Sequence, residues 1–254
     1  WEAKYNGARI VTLSPDYNPS AIHADLWINI NPGTDPFFFM SMIQVVLEEK
    51  LWDKAFVKEQ TDLALLVRDD NGNLLRESDL SPGGKQDVFY HWDTRTQQAV
   101  AVNGCMGSER KSIALGEVDP ALEGLFEVQG IAVQPAFVHM AAEAAKYTPE
   151  RTQETTGVHP DIVRREARLI AKSKKLCLAD GFAVGKVLNG IYTTWAQALL
   201  CSLTAHAGER GGIDTSFNDD GWPATLRLLS FEFSKFPVFE AGWPGRVCSR
   251  REND

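Results

Sequence analysis

The sequence is poor in residues that could build a metal cluster. It contains four cysteines, none of them in a Cys-x-x-Cys pair, at Cys105, Cys177, Cys201 and Cys248. This spacing indicates neither a zinc ribbon nor an iron-sulfur cluster, and scattered free thiols are the ordinary interpretation. The five histidines are equally dispersed and form no His-Glu-x-x-His motif. We therefore expect this stretch of chain to supply no metal ligand.

Basic charge and long apolar runs are also lacking. The formal net charge is -8, so no basic field recruits phosphates and we expect no nucleic-acid partner. The most apolar predicted helix, residues 191–205, includes threonines and a glutamine and is too short to span a bilayer, which predicts no transmembrane segment. The first residue is Trp1, and no signal-peptide pattern precedes the first strand, so we expect an internal piece of a longer chain.

The composition itself is that of a globular protein. The 254 residues are 44% hydrophobic and 24% charged, enough to bury a core in one large or two small domains.

The most informative stretch runs from Leu26 to Pro36. Alternating apolar and polar residues predict a short strand, and Asn31-Pro32-Gly33 is typical of a turn. Thr34 or Asp35 then caps a helix that Pro36 opens at its first position. The helix start then presents free backbone N–H groups, which attract phosphate, beside a carboxylate, which accepts hydrogen bonds from a base or ribose. This combination favours a nucleotide ligand. The alternative is an ordinary capped strand-to-helix turn.

Two further stretches have a similar pattern. Residues 8–13 predict a strand covered on both faces, and Ser14-Pro15-Asp16 follows it. Residues 175–179 predict a short buried strand, followed by a loop from Asp180 to Gly190 that contains Phe182. In that loop Gly181 and Gly185 allow close approach of a bulky ligand, Lys186 offers a cation to a pyrophosphate and Asn189 offers an amide. Taken alone, the glycines and the lysine are also compatible with an ordinary loop.

Three motifs occur in a fixed order within about thirty residues. They are Ser14-Pro15-Asp16, Asp25-Leu26-Trp27 and Pro32-Gly33-Thr34-Asp35. Together they resemble the molybdopterin oxidoreductases of the dimethyl sulfoxide reductase family, in which such loops contact a guanine dinucleotide. The segments 74–80, 90–93 and 119–124 are similar to an insertion of the type II branch, which groups ethylbenzene and steroid C25 dehydrogenases with nitrate, selenate and chlorate reductases.

The resemblance implies an α/β fold with two Rossmann-like αβα portions and a β-rich insertion between them. Residues 1–62 would be the C-terminal half of a first dinucleotide-binding domain, 63–133 the insertion, 134–214 a second dinucleotide-binding portion and 215–254 an aromatic docking tail. Short apolar runs with Asn-Gly and Gln-Gly turns predict hairpins in the insertion. Its aromatic run 89–92 either stacks a substrate or forms a half-buried strand.

Three helices are predicted after the insertion. An Ala-rich helix covers residues 135–146, Thr148 caps a helix that Gly157 stops, and Pro160 starts another. In that last helix Ile162, Val163, Ala167, Ile170 and Ala171 form an apolar stripe, while Arg164, Arg165, Glu166 and Arg168 form a solvated face. The arginines either grip a phosphate or face water.

The implied cofactor is molybdenum bis(molybdopterin guanine dinucleotide), with the two loops on two α/β halves holding its two arms. The predicted contacts are Ser14, Pro15, Asp16, Pro32, Gly33, Thr34, Asp35, Gly181, Phe182, Gly185, Lys186 and Asn189. The family's molybdenum ligand, its [4Fe-4S] site and its final β-barrel lie outside this sequence, so no catalytic or metal-binding residue is named.

The resemblance also implies partners. They are the rest of the catalytic subunit, an iron-sulfur electron-transfer subunit, a haem subunit as a further candidate and a small-molecule substrate. The implied reaction is oxygen-atom transfer or hydroxylation with water as the oxygen source, in the periplasm, with the cytoplasm as the alternative. Two other classes stay open: a non-redox nucleotide-binding protein and a noncatalytic structural subunit.

Overall fold

The computed structural model describes residues 2–102, 115–179 and 189–207. These residues form two compact units. Unit 1 consists of the described residues of 2–52 and 143–204, and unit 2 of those of 53–142 together with 205–207. The division into four segments predicted from the sequence stays a prediction.

The described residues contain both helices and strands, with four strands in succession before α6 and four helices in succession from α6 to α9. The helices are α1 (Glu2–Tyr5), α2 (Pro19–Ile22), α3 (Asp35–Glu48), α4 (Lys54–Gln60), α5 (Glu77–Leu80), α6 (Ala136–Ala144), α7 (Pro149–Thr156), α8 (Pro160–Lys172) and α9 (Gly190–Leu203). The strands are β1 (Val11–Leu13), β2 (Leu26–Ile28), β3 (Leu66–Arg68), β4 (Tyr90–Asp93), β5 (Gln98–Ala101), β6 (Phe126–Val128) and β7 (Ile131–Pro135). No described helix is long and apolar enough to cross a membrane.

Unit 1 contains a parallel strand pair. β1 pairs with β2, and the register brings Val11 opposite Leu26 and Leu13 opposite Ile28. A parallel pair joined by a helix is typical of an α/β fold, which confirms the predicted class. The prediction that residues 8–13 form a strand covered on both faces is wrong. β1 is shorter and Val11 is 39% exposed, because β2 is the single strand paired with β1 among the described residues.

The core of unit 1 is built around α3. This helix packs against α7, α8 and α9, and Met42, Ile43 and Val46 are fully buried within it. The apolar run from Phe37 to Leu47 accounts for this, since a helix that is apolar on most sides needs neighbours on most sides.

The helices that surround α3 begin and end where the sequence predicts. Thr148 caps α7 by accepting a hydrogen bond from the N–H of Arg151, and Gly157 ends it with φ +75°. His159 precedes Pro160 at the start of α8. One prediction for α8 is wrong: Glu166 is buried, because it accepts two hydrogen bonds from Arg9 and one from Arg165.

The buried strand predicted at residues 175–179 is also absent. These residues have no regular secondary structure and alternate between exposed and half-buried positions. No described strand lies beside them to accept backbone hydrogen bonds, so the apolar alternation alone does not produce a strand.

Unit 2 is antiparallel. β3, β7 and β6 form one sheet, and β4 pairs with β5. Gln129 and Gly130 join β6 to β7 with φ +50° and +82°, the geometry of a type I′ turn. The predicted hairpins are thereby confirmed.

The core of this unit centres on Leu66, Leu75, Val128 and Val133. Trp92 packs against it and stacks on Phe126, with ring centroids 4.4 Å apart and an interplanar angle of 9°. Along residues 89–93 buried and half-buried positions alternate. Of the two interpretations of the aromatic run, the half-buried strand is therefore confirmed.

Candidate nucleotide site in unit 1

Two predicted ligand loops leave the same edge of the parallel pair. Leu13 and Ile28 are register partners at the carboxyl ends of β1 and β2, and the N–H of Ser14 donates to the carbonyl of Ile28 at 3.2 Å. The loops that begin at Ser14 and Asn29 are therefore neighbours. In α/β folds, ligands bind in the crevice outside the carboxyl ends of parallel strands.

The first loop is shaped by Ser14 and Trp27. The hydroxyl of Ser14 donates to the carbonyl of Asp16 at 2.7 Å, and the indole N–H of Trp27 donates to the carbonyl and the hydroxyl of Ser14 at 3.1 and 3.2 Å. Tyr17 packs edge-on against the Trp27 ring at 5.0 Å. Ser14 is buried by these contacts, whereas Pro15 and Asp16 remain exposed.

The second loop turns at Gly33, which has φ +75°. The predicted capping differs from the structure: Thr34 is the N-cap residue but its side chain makes no cap hydrogen bond, and Pro36 is the second helical residue after Asp35. The Thr34 hydroxyl instead donates to the carbonyl of Asn31 at 2.7 Å. Pro36 has no N–H, and the N–H of Phe37 donates to the carbonyl of Thr34 at 3.0 Å. Among the described residues, the N–H of Asp35 is therefore the donor of this first turn that is left for an acceptor from a ligand.

The carboxylates of the two loops are unpaired. Neither Asp16 nor Asp35 has a hydrogen bond or ion pair through its carboxylate within the described ranges, and Asp16 is exposed while Asp35 is half-buried. Some carboxylates of unit 1 are paired instead: Arg168 holds Glu49 at 2.7 Å and thereby lowers the pKa of Glu49. Asp16 and Asp35 are unpaired carboxylates at the edge where the two loops meet.

Asn189 lies at the end of the other predicted loop and reaches the Gly33 turn. Its side-chain N–H donates to the carbonyl of Gly33 at 3.3 Å, and its own φ is +67°. The sequence placed these loops on separate α/β halves, but Asn189 and Gly33 both belong to unit 1. The remaining predicted contacts of this loop, Gly181, Phe182, Gly185 and Lys186, lie outside the described residues.

Sequence reasoning missed the residue that ties the Gly33 turn to α7. The backbone N–H of Asn31 donates to the carbonyl of Thr156 at 2.9 Å, and its side-chain N–H donates to the carbonyl of Thr155 at 2.9 Å. In the sequence Asn31 is part of a turn motif. Its contacts with α7 leave no local sequence signal, because their acceptors are backbone groups more than a hundred positions away. Trp27 was likewise assigned to a strand and not to the shaping of the Ser14 loop.

The arginines of α8 do not form a phosphate site. Arg164 pairs with Glu150 at 2.5 Å, Arg165 with Glu166 at 2.9 Å and Arg168 with Glu49. Their charges are already balanced by carboxylates, which leaves none of them for a phosphate. Their side chains are 30%, 52% and 47% exposed, so the interpretation that they face water holds, with the charges paired. Within the described ranges, no group of three His, Cys, Asp or Glu residues has the arrangement of a metal site.

The residues present at this edge fit a purine nucleotide. An uncapped helix start attracts phosphate, and an exposed carboxylate accepts the ring N–H and amino hydrogens of guanine. Fold and site together are those of an α/β module in which two loops meet at the carboxyl ends of a parallel strand pair.

Comparison with known proteins identifies the family. No protein-family model matches the chain. It is 57% identical over 245 residues to the dimethylsulfide dehydrogenase subunit alpha of Rhodovulum sulfidophilum, covering 96% of this chain and 27% of that protein. It is 46% identical over 221 residues to the chlorate reductase subunit alpha of Ideonella dechloratans, covering 87% and 24%. The chain thus spans about a quarter of the length of these relatives, and it belongs to the dimethyl sulfoxide reductase family of molybdopterin oxidoreductases.

A solved structure supports the fold. Acetylene hydratase from Pelobacter acetylenicus superposes with a TM-score of 0.50 over 84% of this chain and 19% of its own, at 17% sequence identity. At that identity the similarity concerns the fold alone.

Proposed function

We propose that this chain is part of the catalytic subunit of a molybdenum oxidoreductase, in which unit 1 anchors a guanine nucleotide arm of the molybdopterin cofactor. The reaction is oxygen-atom transfer or hydroxylation with water as the oxygen source. The observation that carries the proposal is the meeting of the Ser14 loop, the Gly33 turn and Asn189 in unit 1, with the carboxylates of Asp16 and Asp35 left unpaired.

The adjacency of Gly33 and Asn189 favours one arm for both loops. The sequence suggested one loop for each arm of a bis(molybdopterin guanine dinucleotide). A side-chain hydrogen bond of 3.3 Å between the loops instead favours a single nucleotide held from two sides. The contacts proposed for that arm are Ser14, Pro15, Asp16, Pro32, Gly33, Thr34, Asp35, Gly181, Phe182, Gly185 and Lys186, with Asn189 holding the Gly33 turn.

Each part of the site has its own task. The N–H of Asp35 at the start of α3 is offered to phosphate, and the carboxylates of Asp16 and Asp35 accept hydrogen bonds from the base or the ribose. Trp27 holds Ser14 by hydrogen bonds and thereby fixes the conformation of the Ser14 loop. The exposed Asp16 of this loop faces the ligand. When bound, the molybdenum centre supplies the change of oxidation state that moves an oxygen atom. The residues of this chain bind and orient the cofactor and do not take part in that step.

The proposal for the wider assembly is supported by the two relatives described above, both of which are named as alpha subunits. We propose that the complete catalytic subunit carries a [4Fe-4S] cluster, transfers electrons through an iron-sulfur subunit and a haem subunit, and works in the periplasm. The 57% identical relative is named for dimethyl sulfide. A small organic sulfide is therefore the first substrate to assay, with chlorate second.

The test is elemental and nucleotide analysis of the native full-length protein. We expect molybdenum by mass spectrometry and GMP after acid hydrolysis. The double variant Asp16→Asn with Asp35→Asn keeps the side-chain sizes but removes both anionic acceptors, so it should contain less GMP than the wild-type protein. Guanine nucleotide without molybdenum would support a non-redox nucleotide-binding protein, and the absence of both would overturn the proposal.

A further inference from the structure

Asn31 is an exposed residue with an unusually complete set of hydrogen bonds. Its backbone N–H and its side-chain N–H donate to the carbonyls of Thr156 and Thr155, both at 2.9 Å, and its carbonyl accepts the hydroxyl of Thr34 at 2.7 Å. The two donors satisfy carbonyls of the last turn of α7, where helices leave carbonyls without an internal partner. One residue therefore joins the end of α7 to the start of the Gly33 turn.

The end of α7 is itself fixed at this point. Gly157 closes the helix with φ +75°, and its N–H donates to the carbonyl of Gln153 at 2.8 Å. A Cβ atom built on Gly157 would lie 3.5 Å from the Asn31 amide, which is ordinary contact distance. Asn31 consequently docks on a closed helix end that packs against α3.

The other side of the Gly33 turn is held by Asn189. Its amide donates to the Gly33 carbonyl, and its backbone adopts the left-handed conformation with φ +67°. That conformation is uncommon for a residue with a side chain, although asparagine is among those that adopt it most readily. The turn is thus held by two amides: its own Asn31 binds the end of α7, and Asn189, just before α9, binds the carbonyl of Gly33.

We propose that Asn31 and Asn189 are positioning residues that preform the nucleotide site. This inference rests on the proposed function. It gives neither asparagine a contact with the nucleotide. They fix the Gly33 turn before the nucleotide binds, so that the binding free energy is not spent on ordering the loop. Loss of either amide should therefore shorten the time for which the nucleotide stays bound.

The experiment measures loss of GMP from full-length holoenzyme. Each variant is incubated below its unfolding temperature, separated from released cofactor by gel filtration and analysed for GMP after acid hydrolysis. Asn31→Ala and Asn31→Asp should both release the nucleotide about fivefold faster than wild type, the effect of one lost hydrogen bond. Activity for each remaining molybdenum atom should stay at the wild-type level.

Two controls separate this role from charge and from general stability. Asn71→Asp introduces the same charge in a turn of unit 2 and retains the acceptor oxygen that the N–H of Asn73 uses. Thr148→Ala removes the cap of α7 without touching the Gly33 turn, and it serves as the control for lowered stability. Both should release GMP at the wild-type rate.

Asn189→Gly provides a second, milder variant. Glycine adopts φ +67° without strain, so the change removes the amide and leaves the backbone free to keep its shape. It too should release GMP about fivefold faster, again the effect of one hydrogen bond.

The outcomes are distinct. Wild-type rates in both Asn31→Ala and Asn189→Gly would overturn the inference and leave the proposed function intact, as would equally fast release from Thr148→Ala. A wild-type holoenzyme without GMP would overturn the proposed function itself.

Discussion

Glu166 is the buried carboxylate on which two elements of unit 1 depend. It lies on α8 with its side chain 5% exposed, and Arg9, just before β1, donates to both of its oxygens. Burial alone would raise the pKa of Glu166, but the hydrogen bonds from Arg9 and Arg165 outweigh it and lower the pKa below the ordinary 4.5. An ionised carboxylate is therefore part of the folded state.

Replacing this carboxylate tests that role. Glu166→Gln should lower the free energy of unfolding by about 2 kcal/mol, because Arg9 loses its bidentate partner while the side-chain volume stays the same. Urea unfolding of the full-length protein measures the change. Glu154→Gln, on an exposed position of α7, is the matched control and should change little.

The same variant has a predicted pH dependence. Since the pKa of Glu166 is lower in the folded state, its contribution is complete above pH 4.5 and is lost as the pH falls through the folded-state value. The wild-type protein should lose stability more steeply than Glu166→Gln below pH 4.5. Parallel curves would contradict the assignment.

His91 gives unit 2 a separate response to acid. It is buried in β4, its Nε2 has no hydrogen-bond partner within the described ranges, and burial lowers the pKa of the imidazole to about 4. Unfolding therefore takes up a proton as the pH falls from 6.5 towards 4.

Replacing His91 by phenylalanine should remove this response. The wild-type protein should lose up to roughly 3 kcal/mol of stability across that interval, the energy equivalent of the pKa shift, and His91→Phe should not. Thermal unfolding followed over pH measures the difference. His139→Gln, at an exposed position of unit 2, should retain the wild-type slope.

At the scale of elements, the turn of the β6–β7 hairpin contains a residue whose replacement should stabilise the fold. Gln129 occupies the first central position of the type I′ turn with φ +50°, where asparagine is better accommodated. Gln129→Asn should raise the free energy of unfolding by about 0.5 kcal/mol, measured by urea unfolding. Gln134→Asn in β7, where the backbone is extended, should lower it slightly.

Local signals explain which elements could be predicted. Thr148, Pro149 and Gly157 define α7 through their own backbone preferences, and Gln129-Gly130 defines its hairpin in the same way. The strand at residues 175–179 could not be predicted reliably, because a strand needs a neighbour and the alternation of apolar residues says nothing about one. The burial of Glu166 was hidden for a similar reason, since its partner Arg9 is distant in sequence.

At the scale of the whole molecule, sequence motifs predict which loops form the candidate site, and the strand topology determines that these loops lie together. The motifs at Ser14, Gly33 and Asp35 identified the loops that the parallel pair brings to one edge. Their relation to Asn189 depends on the packing of α9 against α3, which a linear sequence does not reveal. The Asn31 contacts with α7 have the same origin.

The chain spans about a quarter of its relatives, which leads to a prediction for the segment alone. Expressed as residues 1–254, it should neither retain molybdenum through dialysis nor turn over dimethyl sulfide, because the site proposed for it contacts one nucleotide arm. Metal analysis and a substrate assay measure both properties. Stoichiometric molybdenum in the isolated segment would contradict the assignment of the site.

The face-to-face packing of Trp92 on Phe126 gives unit 2 a spectroscopic signal. Two rings held nearly parallel in a chiral core produce a strong near-ultraviolet circular dichroism signal, which disappears when their mutual orientation is lost. Because the pairs Tyr17–Trp27 and Tyr192–Trp195 of unit 1 also contribute to this spectral region, a Phe126→Leu variant is needed to identify the band of the stacked pair. That band would then report on this sheet during denaturation.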